Sequence, residues 1–179
     1  GAVIFDDGNN ADILAEDINT INSKTSGDIT VNNQIVISGS SSDVNDAFTA
    51  IVNTGNAKAV LTDPHTLAQL KNINNRTSGT ITLNDYGLEL SGSVADIKAA
   101  LDGTFTSSYS GNVIFNDAVN ITATDITTID GDTTGTITII NDIDINGTSA
   151  EVAAAVVVVD SYSGTPTATL SNPHTLQEL

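Results

Sequence analysis

Apolar residues recur along the chain in two spacings, one typical of strands and one typical of short helices. In residues 80–83, Thr-Ile-Thr-Leu, polar and apolar side chains alternate, which predicts a strand with one buried face. Residues 29–31 and 137–139 show the same alternation. Elsewhere apolar residues stand three positions apart, which predicts helices with one apolar stripe. These stripes are Ala15, Ile18 and Ile21; Leu67, Leu70 and Ile73; and Ala123, Ile126 and Ile129.

Short apolar strands that close on Asp or Asn, both typical of turns, form a second regular feature. They lie at 2–5, 59–61, 113–115 and 168–170, which are equivalent positions of a repeat, and a helix is expected after each. Pro64 and Pro173 follow two of the turns, and Asp-Pro or Asn-Pro typically opens a helix. A further set of helices is predicted at 43–51, 94–101 and 150–157, where Ser or Thr supplies the N-cap.

One segment occurs three times and defines the repeat. It reads Thr-Ser-Gly-Asp-Ile-Thr-Val at 25–31, Thr-Ser-Gly-Thr-Ile-Thr-Leu at 77–83 and Thr-Thr-Gly-Thr-Ile-Thr-Ile at 133–139. Its glycine returns after 52 positions and again after a further 56, a spacing typical of repeat architectures. The pattern predicts one repeat array, with units at 1–57, 58–111 and 112–166 and a partial fourth unit at 167–179.

Alternation of strands and helices with short loops predicts the α/β class with parallel strand pairing. Each unit of about 55 residues has two similar halves, so we expect a solenoid of two coils per repeat, with short strands on one side and short helices on the other. The alternative is a compact α+β domain for each repeat. Because the sequence stops inside a predicted helix, we expect it to be a section of a longer array. The predicted strand core is Ile29 and Val31, Ile81 and Leu83, and Ile137 and Ile139.

Charge narrows the choice of partners. The chain has 22 Asp and Glu against 5 Lys and Arg, a net charge of −17. Nucleic acid and anionic lipid both require clustered cations, so neither is an expected partner. Divalent cations or a basic protein fit this surface better. Disorder is not expected, because 39% of the residues are hydrophobic and they are regularly placed.

The absence of cysteine excludes a disulfide scaffold and a thiolate metal site. A cysteine-free, acidic chain rich in Thr and Asn is typical of secreted or surface proteins of bacteria. The longest apolar run, 152–159, is too short to cross a bilayer, so membrane insertion is not expected.

The acidic turns are the candidate metal site. If coils stack, their turns form columns in which carboxylate and carbonyl oxygens could coordinate Ca²⁺, which takes six to eight oxygen ligands. The alternative is that these side chains accept hydrogen bonds from the backbone and simply shape the turns. No cofactor other than Ca²⁺ is expected. The candidate ligands are Asp6, Asp7, Asp63, Asp85, Asp117 and Asp142.

Residues that could support catalysis are few. His65 and His174 occupy equivalent repeat positions and are expected to be first-turn helix residues. Paired carboxylates could in principle hydrolyse a glycosidic bond, but the acids are expected at turns or on exposed strand faces. We therefore expect no enzymatic activity. The acids considered for this role, besides the Asp residues, are Glu16, Glu89, Glu151 and Glu178.

The repeated segment, together with Leu-Ser-Gly-Ser-Val-Ala-Asp-Ile-Lys-Ala-Ala-Leu at 90–101, resembles tandem repeats of very large secreted or cell-surface proteins of marine bacteria and cyanobacteria. Many of those chains are adhesins or carry calcium-binding RTX nonapeptides. The nonapeptide itself, Gly-Gly-x-Gly-x-Asp, does not occur here.

The resemblance implies a structural protein, a spacer or stalk segment stiffened by Ca²⁺. An adhesin-type binding module for a glycan or another cell surface is the alternative. The expected partners are neighbouring repeats of the parent chain and a second copy that associates through the terminal coils.

Overall fold

The structure is a computed structural model that describes residues 1–117 and 120–174. The predicted first helix of the fourth unit, expected from Pro173 onward, lies mostly outside these residues. Six helices form within the described ranges: α1 Ala15–Lys24, α2 Ser41–Ala50, α3 Leu67–Asn74, α4 Val94–Leu101, α5 Ala123–Asp132 and α6 Ser149–Val158. All three helices predicted from apolar stripes and all three of the further set are confirmed.

Fifteen short strands accompany the helices in the described part of the chain. In chain order they are β1 Val3–Phe5, β2 Asp12–Leu14, β3 Ile29–Val31, β4 Val36–Gly39, β5 Ile51–Asn53, β6 Lys58–Leu61, β7 Thr80–Thr82, β8 Leu90–Gly92, β9 Thr104–Phe105, β10 Val113–Phe115, β11 Ile121–Thr122, β12 Ile137–Ile139, β13 Asp144–Gly147, β14 Ser161–Tyr162 and β15 Thr167–Leu170. The chain is therefore of the mixed α/β class, as predicted.

The first of two compact units comprises Gly1–Tyr86 and Asp102–Ser107. It holds two parallel sheets, with strand orders β1-β3-β5 and β2-β4-β6-β7-β9. In the larger sheet Ile37 pairs with Ala59, and Ala59 pairs with Ile81; all three are fully buried. Helix α1 packs on α2, and α2 packs on α3.

The second unit comprises Gly87–Leu101 and Ser108–Leu179. Its two parallel sheets have strand orders β8-β10-β12-β14 and β11-β13-β15. Helix α4 packs on α5, and α5 packs on α6. Buried Val113 pairs with buried Ile137, so the apolar face of one strand continues onto the next. This continuity is what period-two alternation requires of stacked parallel strands.

Paired positions in these sheets lie 22 to 26 residues apart, and we call the intervening stretch a coil. The step from Ile37 to Ala59 is one of several of 22 residues, and the longest is the step from Val3 to Ile29. Each of these steps is shorter than half of the predicted 55-residue repeat. The repeat boundaries predicted after residues 57, 111 and 166 stay a prediction.

The predicted strand core is confirmed, since all six of its members are at most 7% exposed. Three local predictions were wrong, and one of them is that His65 lies in the first turn of α3, because it precedes the N-cap Thr66. The strands at 2–5 and 59–61 are not structurally equivalent, because β1 joins the smaller sheet of its unit and β6 joins the larger one. Helix α3 also does not open at Pro64. It begins at Leu67, where Thr66 and Gln69 form a capping box that fixes the start more strongly than proline does.

Candidate functional site

The Asp and Asn turns join one coil to the helix of the coil before it. Asp63 Oδ1 accepts a hydrogen bond from the backbone N–H of Ser41, the first residue of α2, at 2.5 Å. Asp117 Oδ2 accepts one from Val94 N, the first residue of α4, at 2.8 Å. The first N–H groups of a helix lack partners within the helix and carry partial positive charge, so a carboxylate oxygen suits them.

The third member of this set is an amide. Asn172 Oδ1 accepts from Ser149 N, the first residue of α6, at 2.7 Å. Each of the three helices also has its own N-cap: the hydroxyls of Ser40, Ser93 and Thr148 accept from the backbone N–H three residues later at 3.1, 3.1 and 3.3 Å. The backbone N–H groups at each of these helix starts therefore receive acceptors from two coils. Each turn side chain in this way links its coil to the preceding one by a hydrogen bond.

The Thr-x-Gly element makes a second set of bonds between coils. The Thr133 hydroxyl donates to Gly111 O at 2.8 Å and accepts from Gly135 N at 3.0 Å. Thr77 repeats this arrangement, donating to Ala57 O at 2.5 Å and accepting from Gly79 N at 2.9 Å. The hydroxyl thus satisfies one backbone group in its own turn and one in the preceding coil. Thr25 and Gly27 repeat the pattern, with Gly1 O as the acceptor of the preceding coil.

The glycine of this element is required by close packing. A Cβ on Gly79 would overlap the backbone of Asn56 and Ala57, and one on Gly135 would overlap the backbone of Gly111. The sequence revealed the motif but not its role, because the contacted residues lie about one coil away. The available signal was a glycine placed two residues after a threonine in all three copies.

Helix side chains provide a third link between coils. In the first unit the Asn72 amide donates to Asn45 Oδ1 at 2.8 Å and to Thr49 Oγ1 at 2.9 Å, which connects α3 to α2. In the second unit Lys98 on α4 forms an ion pair with Asp125 on α5. The hydrogen bond from Lys98 holds the pKa of Asp125 below its usual value.

The six predicted calcium ligands are divided among separate turns, and two of them already serve as the helix partners described above. Asp6 Oδ1 accepts from the amides of Asn32 and Asn33 at 3.4 Å each. The Asp7 backbone carbonyl accepts from Asn33 at 2.8 Å. Asp142 Oδ1 accepts from Thr165 N at 2.7 Å and from its hydroxyl at 3.0 Å, which lowers the pKa of Asp142.

The remaining candidate, Asp85, exerts its negative charge on His65. Within residues 1–117 and 120–174, no group of three or more His, Cys, Asp or Glu side chains is placed to hold a metal ion. The structure therefore supplies hydrogen-bonding roles for most of these carboxylates, and calcium binding stays a prediction.

The two histidines differ in their surroundings. His65 is 7% exposed, and burial lowers its pKa more than the charge of Asp85 raises it. His174 is exposed. Among the acids considered for catalysis, Glu151 Oε2 accepts from Thr148 N at 2.7 Å as part of a capping box, and Glu178 lies outside the described residues.

A polar cleft lies beside the end of α3 in the first unit. It has a volume of about 570 Å³ and was not foreseen from the sequence. Its lining residues are Ile51, Val52, Asn53, Thr54, Gly55, Asn72, Asn75 and Arg76.

No helix in the described ranges combines the length and the apolar character that crossing a bilayer requires. Comparison with protein families, curated proteins and solved structures gives no match to this chain.

Proposed function

We propose that this chain is a structural spacer, a stalk segment of a long extracellular bacterial surface protein, with no catalytic role. The observation that carries the proposal is the recurrence of the same backbone hydrogen bonds between successive coils. Asp63 and Asp117 accept equivalent hydrogen bonds from the first residue of a helix. Thr77 and Thr133 donate equivalent hydrogen bonds to a backbone carbonyl of the preceding coil. Residues that recur to hold coils together are what an interchangeable array requires. The resemblance of the repeated segment to tandem repeats of secreted bacterial surface proteins supports an extracellular location.

Within this proposal each unit is a section of an α/β solenoid whose 55-residue repeat contains two coils. The support is that five of the six described helix starts are of two kinds, which follow one another within each unit. Helices α2, α4 and α6 receive an Asp or Asn side chain from the next coil. Helices α1 and α5 instead pack against a glycine of the next coil. Ala15, the first residue of α1, places its Cβ beside Gly39, and Ala123, the first residue of α5, places its Cβ beside Gly147.

Duplication of one coil tests the proposal. We would insert a second copy of residues 36–57 directly after residue 57, which adds one strand to the larger sheet of the first unit. Spin labels at Asp12→Cys and Thr104→Cys, on β2 and β9, would report the added strand, since the chain has no other cysteine. The label separation should rise by about 4.8 Å, the spacing of neighbouring strands. Urea unfolding should stay cooperative.

The matched control duplicates only residues 36–46, half a coil, which cannot keep the pairing register. It should lower the stability of the unit. If the full-coil variant unfolds as readily as the half-coil variant, or if the label separation is unchanged, the coils are not interchangeable and the spacer proposal fails.

The calcium component of the proposal has its own test. Thermal melting in EDTA is compared with melting in millimolar Ca²⁺, with Mg²⁺ at matched ionic strength as the control. Preferential binding to the folded state raises the midpoint. Identical curves in Ca²⁺ and Mg²⁺ would remove calcium from the proposal and leave a spacer held by hydrogen bonds alone.

A second candidate function, an adhesin-type module for a glycan, is favoured by the polar cleft, since a spacer needs no such cleft.

Self-association through terminal coils stays part of the spacer proposal. Sedimentation measured across a range of protein concentrations tests it.

A further inference from the structure

The polar cleft of the first unit is built on a fixed backbone. The side chain of Thr54, itself 6% exposed, donates a hydrogen bond to the carbonyl of Arg76. Arg76 N donates to Ile73 O at 3.0 Å, at the end of α3. Asn72 is held against α2 by its two amide bonds to Asn45 and Thr49. The positions from which side chains enter the cleft are therefore defined before any ligand arrives.

Arg76 is the positively charged residue among those that line this cleft. It is the single arginine of a chain with 22 acidic residues, yet its guanidinium forms no ion pair or hydrogen bond with any described residue. Its positive charge is therefore not neutralised by any carboxylate of the described residues. The exposed amide of Asn75, next to it, also has no partner within the described ranges.

The remaining walls offer weaker contacts of two kinds. Asn53 Oδ1 accepts from Gly55 N at 3.2 Å, which leaves the amide N–H₂ of Asn53 as a further donor. Val52 is 66% exposed and gives the cleft an apolar patch. A guanidinium fork matches a carboxylate, side-chain amides match hydroxyls, and an apolar patch suits the C–H face of a sugar ring.

We propose that this cleft binds a saccharide that carries one carboxylate, with Arg76 paired to the carboxylate and Asn53 and Asn75 bonded to ring hydroxyls. The inference rests on the second candidate function, the glycan-binding module, and names its ligand class. A small ligand is specified because the net charge of −17 repels polyanions, whereas a single carboxylate at Arg76 is screened from distant charges beyond about 8 Å at physiological salt.

The test is an NMR titration of the whole chain with galacturonic acid at physiological salt, followed through the backbone amides. Galactose and the methyl ester of galacturonic acid are the uncharged controls. Shifts are expected at residues 51–55 and 72–76 with the acid and not with the controls. Arg76→Gln should weaken binding by about tenfold or more, since a charge-assisted bidentate pair is lost. Arg76→Lys should lose less, and Lys24→Gln, an exposed cation on α1, should change nothing.

Several results would overturn the proposal. Equal binding by Arg76→Gln, or the absence of shifts at the cleft at millimolar ligand, removes the assigned site. If N-acetylglycine, which has one carboxylate and no sugar ring, binds there as tightly as galacturonic acid, the cleft recognises carboxylates rather than saccharides. Saccharide binding at another surface would sink this inference while keeping the glycan-binding function. If no saccharide binds, both fail, and the spacer proposal is still judged by the coil duplication.

Discussion

Asp117 and Val94, 23 positions apart, are joined by a hydrogen bond of 2.8 Å from the Val94 backbone N–H to Asp117 Oδ2. Through this bond a side chain of the next coil supplies an acceptor for the first backbone N–H of α4. Two further Asx residues make the same bond to α2 and α6. This relationship explains why short strands so often end on Asp or Asn, and it gives these residues a role that needs no cation.

Asp117→Ala is expected to lower the free energy of unfolding by about 1 kcal/mol, because a helix-terminal N–H loses its partner. Asp117→Asn should retain most of the stability, since Asn172 fills the equivalent position. Urea unfolding measures both. The control is Asp130→Ala, an exposed carboxylate on α5 without a described hydrogen bond. Equal losses in the two alanine variants would show that the bond contributes no stability.

Thr133→Val tests the second set of bonds between coils. The substitution keeps the side-chain shape but removes the hydroxyl that serves Gly111 O and Gly135 N. Thr133 is only 6% exposed, so both backbone groups lose a buried partner, at a cost of about 1–3 kcal/mol. Thr134→Val, at an exposed neighbour, should change stability little. A denaturant series on both variants gives the difference, and a loss in Thr134→Val as large as in Thr133→Val would contradict the assignment.

Two glycine substitutions in the second unit should act in opposite directions. Gly135→Ala places a Cβ against the backbone of Gly111 and should destabilise by about 1–3 kcal/mol. Gly131→Ala lies in α5 with nothing within 4 Å of the new Cβ, so the better helix propensity of alanine should stabilise by up to about 1 kcal/mol. Thermal midpoints measured side by side decide this. A stable Gly135→Ala variant would mean that the coils can separate without cost.

The helices could be predicted because their burial is local. Ala15 and Ile18 are three positions apart and both are fully buried on one face of α1. The strands could also be predicted from the sequence, since buried Ile137 and Ile139 alternate with exposed or half-buried neighbours. In each case the pattern and the cause of burial lie within a few residues of one another.

What the sequence did not reveal depends on residues one coil away. Nothing near Asp63 indicates that its partner is Ser41 N, because that pairing depends on the stacking register. The sheet that β6 joins is likewise decided by neighbouring coils and not by its own residues. The cleft at Arg76 was missed for the same reason, since β5 and the end of α3 meet only in the folded unit.

Buried His65 should make stability depend on pH. Burial lowers its folded-state pKa, whereas in the unfolded chain it titrates near about 6.5. The unfolded state therefore binds more protons below that pH, so the His65 contribution to stability is present above about 6.5 and is lost as pH falls. Asp85, whose charge raises the pKa of His65, opposes the effect but is the smaller influence.

Unfolding free energies at several pH values between about 5.5 and 7.5, above the range in which carboxylates titrate, measure this dependence. His65→Asn should flatten the slope, whatever it does to stability at neutral pH. His174→Asn, which alters the exposed histidine of the equivalent sequence position, should leave the slope unchanged. Equal slopes in the two variants would mean that His65 is protonated as easily in the folded unit as in the unfolded chain, and that its burial has no consequence for folding.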